Sequence, residues 1–264
     1  MSQEWQARYE LLIDAARRAG RHALTYFPDT DSPAFSKHVI WKDDHSPVTV
    51  ADREAEAILR EDLLSAYPGD GFLGEESGET ASSTGYRWIV DPIDGTRSFV
   101  RGVPHWATLV ALEYRGEPVA GVAYEPVINR TWHALRGGGA YRDDARLRVS
   151  TIDRLDQAVM FYSSIWTFLT GNGQQPFIDL VRRTERQRGY GDYYGHLLVA
   201  QGAGEFMVEL GVHEWDLAAL RIIIEEAGGE FTDWRGSPTT RNSHCISSNG
   251  RVHDAVLAIL RGAA

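Results

Sequence analysis

The sequence predicts an α/β protein. Helical patterns open the chain, short apolar runs divided by turn residues fill its middle, and strands alternate with helices through its second half. In chain order, residues 5–27 place Leu12, Ala16, Ala19 and Ala23 on one helical face, and Pro28 ends the pattern. Residues 29–47 are polar, contain Lys42, Asp43, Asp44 and His45, and read as a long loop of the kind that serves enzymes as a lid. A second helix is expected over 52–66, stopped by Tyr67-Pro68-Gly69. Extended runs follow at 88–90, 107–114, 118–124 and 131–135, with Arg115-Gly116-Glu117 as a hairpin turn. The glycine run Arg136-Gly137-Gly138-Gly139-Ala140 lies between two such strands, with no Lys-Ser/Thr and no helix after it. It therefore reads as a hairpin turn rather than a phosphate cradle.

The second half predicts strands at 159–162, 206–210, 230–232 and 245–247. Helices are expected at 174–185, 195–201, 216–227 and 251–260, with Gly228-Gly229 capping the third of these. The change of character near residue 150 divides the chain into an N-terminal unit, 1–150, and a C-terminal α/β unit, 151–264.

A chain of 264 residues that is 43% hydrophobic and 24% charged can bury a substantial core and matches an ordinary soluble globular protein. Its net charge of −10 argues against nucleic acid or an anionic membrane as partner. Cys245 is the single cysteine, which excludes a disulfide framework and a thiolate metal cluster, and its apolar surroundings predict a buried, inert thiol. Residues 1–10 carry charges where a secretory signal needs an apolar core, and no stretch reaches the roughly 20 apolar residues of a membrane span. The expected location is the cytoplasm. His22, His38, His45, His244 and His253 show no zinc-type pairing with an acid, and no Gly-x-Ser-x-Gly elbow is present.

The informative segment is Trp88-Ile89-Val90-Asp91-Pro92-Ile93-Asp94-Gly95-Thr96. An apolar strand ends in two aspartates three residues apart, so both carboxylates can serve one small volume, the all-oxygen surrounding that Mg²⁺ selects. Gly95 and Thr96 then offer backbone N–H groups where a helix or turn begins, which suits an anion such as phosphate. Glu75 in Gly74-Glu75-Glu76-Ser77 and Asp216 in Glu214-Trp215-Asp216-Leu217-Ala218-Ala219 add acids from separate parts of the chain. Four such acids repel one another unless cations lie among them. The structural alternatives are solvated loop acids for Glu75 and Asp94, and helix caps for Asp52 and Asp216.

These islands, with Val48-Thr49-Val50-Ala51-Asp52 and Ser247-Ser248-Asn249-Gly250, resemble the inositol monophosphatase family in order and spacing over residues 5–262. The resemblance implies a layered αβαβα sandwich of the inositol monophosphatase and fructose bisphosphatase type, two or three Mg²⁺ per active site, and a homodimer. It also implies metal ligation by Glu75, Asp91, the Ile93 carbonyl, Asp94 and Asp216. In this scheme Thr96 orients the attacking water, with Asp52 as its hydrogen-bond partner and Glu75 holding a further water. Ser98 stands where the family often has Asn, and serine makes similar turn hydrogen bonds. Trp166 and Phe168 are candidates for a dimer interface or for the core.

The substrate implied is a small-molecule phosphate ester. Phe99-Val100-Arg101-Gly102-Val103-Pro104-His105-Trp106-Ala107-Thr108-Leu109 and Gly189-Tyr190-Gly191-Asp192-Tyr193 resemble the histidinol-phosphate phosphatases of the family. There Asp192 would pair with an amine or imidazolium group, its structural alternative being a helix cap. Glu209 resembles a glutamate that contacts a ring hydroxyl in the inositol phosphatases and suits an amine equally well. Asp94 and Asp216 complete the substrate wall. L-Histidinol phosphate is favoured over inositol 1-phosphate and other sugar phosphates. A non-catalytic, metal-binding regulatory relative is the alternative of a different class. Such a protein is expected to have lost Thr96, Asp52 or a ligand acid, and all are present.

Overall fold

The computed structural model describes residues 3–28, 40–41, 47–170 and 173–262. Helix α1 (Gln3–Leu24) is followed by the short pair β1 (Ile40–Trp41) and β2 (Pro47–Val48), then by α2 (Val50–Ala66). Strands β3 (Gly71–Gly74), β4 (Gly78–Thr80) and β5 (Tyr86–Asp94) lead to a one-turn helix, α3 (Thr96–Phe99). Next come β6 (Ala107–Tyr114), β7 (Glu117–Glu125), β8 (Arg130–Leu135), β9 (Gly139–Arg142) and β10 (Ala145–Arg146). The remainder holds β11 (Val159–Tyr162), α4 (Ile165–Thr170), α5 (Gln174–Arg183), β12 (Arg186–Arg188), α6 (Asp192–Ala200) and β13 (Phe206–Leu210). Helix α7 (Glu214–Glu226), β14 (Glu230–Thr232), β15 (His244–Ser248) and α8 (His253–Leu260) complete it.

Two sheets organise these elements. The first has eight strands in the order β10-β9-β8-β7-β6-β5-β3-β4, antiparallel except where β3 runs parallel to β5. The second has five, in the order β12-β11-β13-β15-β14, with β11 parallel to both neighbours. Side-chain alternation along each strand assigns its two faces to different layers. Trp88, Val90, Val110 and Leu112 pack under α1 and α2, whereas Ile89, Leu109, Ala111 and Ala123 pack against α6 and α7. The opposite face of the second sheet, with Met160, Val208 and Ile246, is covered by α4, α5 and α8. The result is five layers, αβαβα.

Helix α1 shows the expected face, with Leu12, Ala16, Ala19 and Ala23 fully buried. It ends at Leu24, before Pro28, and residues 25–27 close it through tight turns. Leu12 and Leu59, buried on α1 and α2, each contribute about 1.5–3 kcal/mol of transfer free energy. Helix α7 has no polar stripe: residues 217–224 are all buried, and Arg221 among them is neutralised by Glu117 and Glu225 at 2.8 and 2.7 Å. A helix buried on every side belongs between two sheets. The glycine run at 136–140 is the hairpin between β8 and β9, and the Glu226 carboxylate accepts the N–H groups of Gly137 and Gly139, both at 2.8 Å. Phe168 belongs to the core, while Trp166 is 74% exposed. The lid expected at 29–47 lies outside the described residues apart from 40–41 and 47, and so do His38 and His45.

Candidate active site

Two aspartates three residues apart on a regular strand would face opposite sides of the sheet. Strand β5 avoids this with an irregularity: Asp91 lies opposite Leu109 and Asp94 opposite Ala107, so Pro92 and Ile93 together oppose only Thr108. The extra residue is a β-bulge, which turns both aspartates to one side. Pro92 fits there because it has no N–H to donate, and its carbonyl accepts from the Thr108 hydroxyl at 2.8 Å. The Ile93 N–H donates to Asp91 Oδ1 at 3.0 Å, fixing that carboxylate. Gly95 then takes a left-handed φ of 89° and serves as N-cap of α3, which brings Thr96 back toward the strand end.

Helix N-termini deliver the remaining acids. Neither Asp52 nor Asp216 is itself a cap; each is the third residue of its helix and closes a capping box. Asp52 Oδ2 accepts from the Thr49 N–H at 2.8 Å and the Thr49 hydroxyl at 2.6 Å. Asp216 Oδ2 accepts from the His213 N–H at 2.8 Å. The cap therefore uses one carboxylate oxygen and leaves the other for the site. Glu75 sits in the turn between β3 and β4, which Glu56 of α2 anchors by accepting the Glu76 and Ser77 N–H groups at 2.8 and 2.7 Å. Asp192 opens α6 with a left-handed φ of 53°, and Gly191, not Asp192, is the cap. The next N–H, of Tyr193, donates to Asp94 Oδ2 at 2.6 Å, and the Tyr193 hydroxyl reaches Glu125 at 3.0 Å.

One oxygen each from Asp91, Asp94 and Asp216 lies within 4.8 Å of the others. Glu75, Asp94, Asp192, Glu209, Asp216 and Arg97 line a cavity of about 610 Å³. Burial, reinforced by neighbouring carboxylates, pushes Asp91 and Asp94 well above the usual carboxylate range. Burial also raises Asp216 to about 8, Asp52 to about 7 and Asp192 to about 6, Glu209 adding to the last. Such crowding of desolvated anions needs positive charge to hold them ionised, and an all-oxygen donor set fits a hard divalent cation.

The sequence-predicted residues Glu75, Asp94, Asp192, Glu209 and Asp216 thus share one cavity, with Asp91 within reach of two of them. The expected Thr96–Asp52 hydrogen bond is long, 3.5 Å, and the Thr96 hydroxyl donates at 3.0 Å to the Ile93 carbonyl, the expected ligand. That carbonyl keeps a second lone pair. Glu56, Glu125 and His196 were not singled out from sequence. The spacings Asp52-x-x-x-Glu56 and Asp192-x-x-x-His196 place Glu56 and His196 on the same helical face as a site acid, whereas Glu125, at the end of β7, had no such signal. Cys245 is fully buried, as its apolar run suggested, but its thiol lies within 4.8 Å of His196 and Glu209, and burial followed by the Glu209 and Asp216 charges pushes it up.

The sequence profile of the inositol monophosphatase family matches residues 4–263. The chain belongs to that family. It is 44% identical over 224 residues to the histidinol-phosphatase of Mycobacterium tuberculosis, covering 83% of this chain and 86% of the relative. The inositol-1-monophosphatase of Rhizobium meliloti is 36% identical, with 87% and 86% covered. Among solved structures, the extragenic suppressor protein suhB of Bartonella henselae superposes with a TM-score of 0.87 at 32% identity, covering 98% of this chain and 100% of that one. The αβαβα sandwich is thus the fold of this inositol monophosphatase family member.

Proposed function

We propose that this protein is a magnesium-dependent phosphatase that hydrolyses the phosphate monoester of a small cationic substrate, L-histidinol phosphate. The carrying observation is that Asp192 and Glu209, neither implied as a metal ligand, face the same cavity as the acidic cluster. Glu209 suits a ring hydroxyl or an amine, but a second carboxylate beside it, Asp192, favours an amine or imidazolium through charge-assisted hydrogen bonds. The 44% identity to a histidinol-phosphatase supports the same reading. Inositol 1-phosphate is the second reading, favoured by the identity to an inositol-1-monophosphatase.

Two or three Mg²⁺ would be held by Glu75, Asp91, the Ile93 carbonyl, Asp94 and Asp216. When bound they supply Lewis acidity and positive charge for the phosphoryl group and the leaving oxygen. The chain's own residues do the rest. Thr96 donates its hydroxyl proton inward, to Ile93 O or Asp52, and so presents its lone pairs to the attacking water. The Gly95 and Thr96 amides cradle the phosphate. Unit 1–150 supplies Asp52, Glu75, Asp91 and Asp94, and unit 151–264 supplies Asp192, Glu209 and Asp216. On the family resemblance we further propose a cytoplasmic homodimer. No described helix is long and apolar enough to cross a membrane.

The test is kcat/KM for phosphate release from L-histidinol phosphate and inositol 1-phosphate, in Mg²⁺ and in EDTA. A large preference for the first, abolished by EDTA, is expected. Preference for the second, or a flat profile, would overturn the substrate assignment, and turnover undiminished in EDTA would overturn the metal.

A further inference from the structure

His196 lies one helical turn after Asp192 on α6 and is fully buried. Its Nε2 stands 2.8 Å from Glu209 Oε2, and its Nδ1 stands 2.7 Å from the Ser247 hydroxyl. The sheet explains the meeting. Met207 and Glu209 alternate on β13 toward the middle helix layer, and the paired strand β15 presents Ser247 opposite Met207 on that same side. An ionised carboxylate only accepts, so Nε2 carries the proton and donates it to Glu209, while the serine hydroxyl serves the other nitrogen. Glu209 is itself 3% exposed, yet it borders the cavity. A buried carboxylate free to rotate could turn its oxygens into the core or toward Asp216. Held by Oε2 from behind, it has Oε1 left for the cavity, beside Asp192.

We propose that His196 is a positioning residue that aims Glu209 at the substrate and thereby sets the preference for cationic over neutral phosphate esters. The inference rests on the cationic-substrate reading above. His196 touches neither the acidic cluster nor the phosphate site, so its removal should affect recognition rather than turnover. Asp192, the other half of the cation clamp, already lies in the field of the Arg97 guanidinium, which lines the same cavity. Selectivity therefore depends on how well Glu209 is held.

The test compares L-histidinol phosphate with glycerol 2-phosphate, which carries no cation, in the Mg²⁺-loaded protein. His196→Phe removes both hydrogen bonds at similar volume. It is expected to raise KM for the cationic ester about tenfold, the worth of one hydrogen bond to a charged group. It should leave kcat and the glycerol phosphate kcat/KM within about twofold. His196→Gln retains an N–H donor and should recover most of the loss. If His196→Phe does not fold, Ser247→Ala loosens the ring from its far side and should show the same split in smaller measure. Equal losses on both substrates, or no loss on either, would overturn the positioning role while leaving the substrate reading intact. No preference for the cationic ester in the unaltered protein would overturn both.

Discussion

Replacing Glu56 by glutamine tests how the site holds Glu75. Glu56 is 2% exposed, and both of its oxygens are engaged, by the Glu76 N–H at 2.8 Å and the Ser77 N–H at 2.7 Å. Gly74 makes room for it: a Cβ there would stand 2.5 Å from the Glu56 carboxyl carbon. Glutamine keeps the shape and one acceptor oxygen but turns an NH₂ toward the second N–H donor. The change removes one charge-assisted hydrogen bond and leaves a buried donor unmatched, together about 2–4 kcal/mol. For a chain of this size that corresponds to a fall in Tm of roughly 5–15 °C. Urea titration gives the stability change, and hydrogen exchange at the Glu76 and Ser77 amides locates it. With the turn loosened, Mg²⁺ affinity should fall about tenfold, in the range typical of residues behind a metal ligand. An unchanged urea midpoint with unchanged exchange at those two amides would refute the anchoring role.

Asp94→Asn retains an acceptor for the Tyr193 N–H, which now donates at 2.6 Å, so the fold should persist. Turnover should fall by more than about 100-fold, beyond the usual loss for outer-sphere partners, and full activity with an unchanged circular dichroism spectrum would remove Asp94 from the metal site. His253 is buried, with its ring nitrogens at 2.9 Å from the Thr232 hydroxyl and 2.8 Å from that of Ser248. Burial lowers its pKa from 6.5 to about 4, so between those values the unfolded chain binds a proton that the folded one refuses, and stability falls as pH falls. The stability advantage of the unaltered protein over His253→Gln should therefore shrink by about 3 kcal/mol from pH 7 to pH 4, and a constant difference in urea titrations would contradict the shift.

Elements with strong periodicity were legible in the sequence. The strands at 107–114, 159–162, 206–210 and 230–232 fall where alternation and β-branched content put them. Short or polar elements were not. Strand β12, Arg186-Gln187-Arg188, pairs only along one edge and has no apolar signal, and β3 and β4 are half glycine and glutamate. For the site, the motifs named the acids but not the means of gathering them. The bulge at Pro92 and Ile93 exists only in pairing with β6, so no local pattern announces it. Asp52 and Asp216 looked like helix caps, and the real caps, Thr49 and His213, lie three residues earlier. His196 was visible as a helical neighbour of Asp192, but its contacts with Glu209 and Ser247 depend on strand register across the second sheet.

The middle helix layer has a consequence for synthesis of the chain. The face of the first sheet carrying Ile89, Leu109, Ala111 and Ala123 is closed by α7, whose residues leave the ribosome long after that sheet is complete. Until then a growing chain displays a greasy plane with Asp91 and Asp94 at one end and no Asp216 opposite them. Covering the plane and completing the acidic centre happen in one docking event, when α7 settles onto the sheet. A chain truncated before α7 would therefore expose that apolar face and lack Asp216 together, because one helix supplies both the cover and the acid.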